Sequence, residues 1–279
     1  MTERTIQEIR TARPSRDGDG VAIQRISGMQ HAAMDPILMI DELHAERRED
    51  LGGGFPPHPH RGMQTLTYMK AGGIIHEDSH GNRGEIRGGG AQYMSAGRGI
   101  VHSEMPTGDT VGMHGFQLWI NLPAADKMSE PRYRDIPAAE LARIPGEGFE
   151  AVAVAGDWDL SGNTGSGPLE ELAPQAGVLD LHLEAGASVV LKTDPADNVI
   201  AYVYRGSLDQ DGTAVNDRQM AITRSGDQWT LTAGDSGAEL LVLKGRPLRE
   251  PVAHYGPFVM NTPDEIEQAI RDYRDGTLG

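Results

Sequence analysis

Cysteine is absent from the 279-residue chain, which excludes disulfides, thiolate metal sites and cysteine nucleophiles together. Any metal must therefore be held by histidine and carboxylate. Aromatic residues make up only 5% of the sequence, and nowhere does an apolar run reach the length of an ordinary transmembrane helix. The charged N-terminus, MTERTIQEIRTARPSRDGDG, lacks the apolar segment of a secretory signal. Basic residues number 25 against 41 acidic ones, a net charge of -16, and such a chain repels nucleic acid and anionic membrane surfaces. A soluble, cytoplasmic protein with no nucleic-acid or membrane partner is the expectation.

What is abundant is turn chemistry. With Gly 36 and Pro 17, and short alternating runs between them, the chain reads as all-β. Two halves can be laid over each other: TYMKAGG (67–73) on AYVYRGS (201–207), and SAGRG (95–99) on TAGDS (232–236). This order suits a duplicated β-barrel. The expected division is 1–134 and 135–279, across the proline-bounded segment 123–137.

The first half carries the chemistry. His58 and His60 stand two apart, as do His102 and Glu104. On a strand, residues i and i+2 share a face, so two such pairs on neighbouring strands converge four ligand atoms. The prolines at 56, 57 and 59 keep the first pair on extended backbone. Three imidazoles and a carboxylate suit Fe(II), Ni(II), Mn(II), Cu(II) or Zn(II) and leave coordination positions open. In the overlay, Lys192, Asp194, Glu239 and Leu241 stand opposite these four, so the second half is expected to hold no metal.

Other histidines read differently. His76 and His80, beside the Gly81-Asn82 turn, are expected to be exposed loop residues. In MHGFQLWINL (113–122), His114 shares a face with Phe116, Leu118 and Ile120. That face is expected to line the barrel interior, which makes His114 either a core histidine or one that faces substrate. The tail is helical: Thr262 as N-cap, Pro263 at the first position, Glu265 completing a capping box, and Ile266, Ala269, Ile270 and Tyr273 as one stripe.

HPHRG, HEDSHGNRGEIRGG, AGRGIVHSEMP, FQLWINLP and GPFVMNTPDEI together resemble the pirin family of the cupin superfamily, nearly end to end. The resemblance implies a bicupin: two antiparallel β-barrels, each a double-stranded β-helix, with a C-terminal helix and metal in the N-terminal barrel. It implies His58, His60, His102 and Glu104 as ligands and iron as the usual metal. The implied activity is quercetin 2,3-dioxygenase, which opens the central ring of a flavonol with O2 and releases carbon monoxide. A small aromatic substrate and O2 are then the partners, with Glu104 also placed to take the flavonol proton. At position 64 relatives commonly carry a carboxylate, where this chain has Gln64, a residue expected near the pocket. The same resemblance implies an alternative, a redox-sensitive regulator that acts through a protein partner.

Overall fold

Short strands joined by glycine turns account for most of the molecule. The computed structural model describes residues 1–279, and its only α-helix is α1 (Pro263–Arg274). Two compact units are present, one of Met1–Ala12, His31–Pro36 and Glu140–Pro247, the other of Arg13–Gln30, Ile37–Ala139 and Leu248–Gly279. The linear division at residue 134 is thus crossed at both ends. The cause is long-range pairing: β1 (Ile6–Thr11) runs antiparallel to Gln219–Thr223, whereas Val259 N donates to Arg61 O beside the first histidine pair.

The unit that holds the histidines contains β2 (Arg13–Asp17), β3 (Val21–Ser27), β4 (Ile37–Ala45), β5 (Phe55–His60), β6 (Met63–Ala71), β7 (Gly73–Asp78), β8 (Arg83–Arg87), β9 (Ala91–Ser95), β10 (Ile100–Pro106), β11 (Met113–Asn121) and β12 (Arg132–Ile136). Seven of them form a sheet in the order β12-β9-β6-β11-β4-β3-β2, and four form a second, β5-β10-β7-β8. Both are open paths, which corrects the expectation of closed barrels. The reason is visible at β5, whose three prolines offer no N–H to a further strand and so suit a sheet edge. Between the layers, Ile23, Leu43 and Met69 of the larger sheet pack on Phe55, Ile74 and Ile86 of the smaller.

The other unit is built on an eleven-stranded sheet around an apolar core that includes Trp158, Leu181, Leu191, Val203, Trp229 and Leu240. Its overlay positions converge on nothing: Asp194 pairs with Arg246 and Glu239 with Arg205.

α1 follows its sequence signature. Thr262 Oγ1 accepts from Glu265 N, and the Glu265 side chain accepts from Thr262 N. Ile266 and Ala269 are buried on Phe258 and Met260, and Arg61 pairs with Asp272 at 2.7 Å. Nearby, the buried Lys127 ammonium donates to Gly62 O, Asn121 Oδ1 and Val259 O at 2.7, 2.6 and 3.1 Å. It ties the C-terminal segment to the chain just after His60. Burial pulls its pKa down to about 8, below that of the unfolded chain, so from about pH 8 upward the unfolded state binds more protons and this group makes stability rise with pH. Lys127→Met strands three buried acceptors and is expected to lower stability by about 3 kcal/mol in urea unfolding, and to flatten that alkaline rise.

Candidate metal centre

β5 and β10 pair antiparallel with His58 opposite His102 and His60 opposite Ile100, and directly opposed residues share a face. The register alone therefore brings the three imidazoles together. Their ring centroids are 4.4 to 4.9 Å apart, and one nitrogen of each lies within 4.8 Å of the others. His60 and His102 are buried, each 2% exposed. Burial, reinforced by the neighbouring imidazoles, holds both pKa values well below the usual histidine value, so both rings are neutral near pH 7.

Hydrogen bonding decides which nitrogens carry the protons. A carbonyl only accepts, so the 2.8 Å contact between His58 Nδ1 and Pro56 O puts the proton on Nδ1 and leaves the lone pair on Nε2. A longer chain orients His102. Burial alone would raise the Asp78 pKa, but hydrogen bonds from Asn82 and His76 outweigh it and hold the carboxyl below its ordinary range. Ionised Asp78 accepts from His76 Nε2 at 3.2 Å. His76 Nδ1 lies 3.3 Å from His102 Nδ1.

His102 Nε2 lies 3.0 Å from His58 Nε2. Nitrogens 3.0 Å apart can each reach one ion at ~2.1 Å, subtending nearly a right angle. The buried His60 Nδ1 has no hydrogen-bond partner either. By donor chemistry and spacing, the three residues fit a divalent metal.

Glu104 is buried on β10 but stands outside the converging triad. Its Oε1 accepts from Thr67 Oγ1 at 3.0 Å and its Oε2 from Gln117 Nε2 at 2.5 Å. A bulge between His102 and Glu104 separates the two on the ladder with β5. Of the three histidines, His58 lines a cavity of about 740 Å³, a volume suited to a small-molecule ligand. Its walls include Met39, Phe55 and Trp119, and the Trp119 ring meets His60 edge-on at 5.3 Å.

Three expectations need correction. His76 is a buried residue of β7, 1% exposed, because the strand runs on to Asp78 before the turn begins. His80 is exposed as expected. His114 faces away from the site: it bonds Glu42 at 2.9 Å and stacks on His44, while Gln117 and Trp119, of opposite parity on β11, face the histidines. Gln64 is of opposite parity to Thr67 on β6 and donates to Tyr93 at 2.7 Å. Thr67, Gln117, Trp119 and Asp78 were not singled out and His76 was read as an exposed loop residue, although His76 and Asp78 repeat the i, i+2 spacing of the two candidate pairs.

The outer pair is testable. His76 stacks on Tyr133 with centroids 4.4 Å apart, so His76→Phe keeps the ring and removes only the hydrogen-bond chain. A roughly 10- to 100-fold loss in metal affinity is expected, read by metal titration with the circular dichroism unchanged.

Known proteins resemble this chain nearly end to end. The Pirin family profile matches residues 20–120, and that of the Pirin C-terminal cupin domain matches 178–279. A Vibrio cholerae protein named "Putative quercetin 2,3-dioxygenase" is 48% identical over 98% of this chain and 97% of its own. A protein of the same description from Pseudomonas aeruginosa is 42% identical over 99% and 98%. The crystal structure of a quercetin 2,3-dioxygenase from Acinetobacter baumannii superposes with a TM-score of 0.90 at 29% identity, covering 99% of each chain. A bacterial pirin from Escherichia coli in complex with nickel(II) shares the fold, with a TM-score of 0.63 at 22% identity over 86% of this chain and 99% of that one.

Proposed function

Since the chain belongs to the pirin family of cupin proteins, we propose that it is a metal-dependent dioxygenase that cleaves the central ring of a flavonol with O2, and that its metal is iron(II). The observation that carries this reading is the convergence of the His58, His60 and His102 ring nitrogens within 4.8 Å of one another, with His58 on the wall of a cavity that Phe55 and Trp119 also line. His58, His60 and His102 would hold the metal, and Glu104 would complete the set with the oxygen it frees from Gln117. A bound divalent ion supplies Lewis acidity to a chelating hydroxyl oxygen.

The remaining work belongs to the protein. Swung off the metal, Glu104 takes the proton of the flavonol 3-hydroxyl on the oxygen freed from Gln117, while Thr67 holds the other. Trp119, Met39 and Phe55 give a planar ring apolar surfaces to lie against. They also keep water from the reacting carbons.

The test is metal removal. Protein purified without oxygen, stripped with a chelator and then reloaded with iron(II), is expected to consume O2 with quercetin only when loaded. Loaded protein that leaves both O2 and quercetin unchanged would overturn the assignment.

A further inference from the structure

One guanidinium in the cavity wall is anchored on one side and open on the other. Arg25 of β3 donates from Nε to Asp41 Oδ1 at 2.7 Å and from Nη2 to Asp41 Oδ2 at 2.6 Å. Nη2 also donates to Asp17 Oδ2 at 2.5 Å. Nη1 has no acceptor in the protein, and Arg25 and Asp17 both line the cavity.

The strand register says where this open edge lies. Arg25 is opposite Asp41, Asp41 opposite Gln117, and Gln117 opposite Thr67. One interior row therefore crosses four adjacent strands and ends at the two side chains that hold Glu104. With strands ~4.8 Å apart, Arg25 is roughly 10 Å from Gln117 along this floor. In the next row, Met39 and Trp119 are paired and form an apolar shelf. The cavity thus has a metal-binding end, a greasy middle and a second polar end.

Charge narrows what that second end accepts. The single guanidinium is already faced by two carboxylates, so a carboxylate on the ligand would meet net negative charge. A neutral hydroxyl fits better, because it can accept from one neighbour and donate to the other.

We propose that Arg25 and Asp17 form a recognition subsite for a phenolic hydroxyl at the end of the substrate remote from the metal. The phenol oxygen accepts from Arg25 Nη1 and its proton is shared with the Asp17 carboxylate. This assignment rests on reading the cavity as a flavonol site, and it makes the two residues specificity determinants.

The experiment measures anaerobic binding by quenching of tryptophan fluorescence. It compares quercetin, which carries hydroxyls on its pendant ring, with galangin, the flavonol that has none there. Quercetin is expected to bind the parent about tenfold more tightly, the size of one good hydrogen bond to a charged group. Arg25→Lys keeps a cation beside Asp41, and Asp17→Ala leaves the Arg25–Asp41 pair whole. Both are expected to bring the two flavonols within about twofold of each other while galangin binding is retained. Equal binding of the two by the parent, an equal loss of both in the variants, or no flavonol binding would overturn the subsite. Oxygen uptake on the same samples separates the two assignments. Discrimination without uptake removes the dioxygenase and keeps the subsite, and uptake without discrimination does the reverse.

Discussion

Replacing His58 and His102 together by alanine is expected to take the metal content from about one equivalent to none and to abolish oxygen uptake with quercetin. The two residues hold the ring nitrogens 3.0 Å apart, and their loss leaves one imidazole and one carboxylate, too few protein ligands for a first-row ion. Folding should survive. β5 is a sheet edge and His58 is partly exposed, and removing His102 also removes its three contacts with other imidazoles. Elemental analysis beside a thermal melt checks this, with metal loss at an unchanged melting temperature as the expected outcome.

The second large effect is expected at Glu104. In Glu104→Gln the amide oxygen can still accept from Thr67, and Gln117 can turn its own amide to present oxygen instead of nitrogen, so the pocket keeps its shape. What disappears is the base. A 10²- to 10⁴-fold fall in oxygen uptake at saturating quercetin is the expected size for losing a positioned proton acceptor. Metal content must be measured on the same sample. Full occupancy with a slow rate assigns proton transfer to Glu104; lost metal would assign it chiefly as a ligand; an undiminished rate would rule out the base.

Local pattern pointed to the candidate residues and hid some of their neighbours. The i, i+2 pairs at 58/60 and 102/104 and the capping box at Thr262 are local signals, and each lies on the element it points to. The face of β11 that holds His114 is different. Alternation separates two faces but does not say which one looks inward, and here both are buried: Phe116 and Leu118 on one, Gln117 and Asn121 on the other. Apolar character therefore chose the wrong side. A polar Gln117 and an aromatic Trp119 on the rival face were the better clue, because a metal cavity needs donors and flat walls. The exchange of the termini between units was invisible for a deeper reason. It depends on pairings such as Ile9 with Ala221, more than 200 residues apart in the chain, which no short window can register.

That exchange reverses the order in which the molecule can be completed during synthesis. The unit without metal ligands has all of its parts once Pro247 has emerged, whereas the one with the histidines still lacks Leu248–Gly279. Chain growth at ~5–20 residues per second puts the last of that segment roughly 10 to 35 s behind His102. Through that interval Arg61 has no Asp272 to pair with, Lys127 no Val259 carbonyl, and β5 no C-terminal hairpin beside it. The stretch of chain made first thus belongs to the unit that is completed last, because that unit waits for Leu248–Gly279.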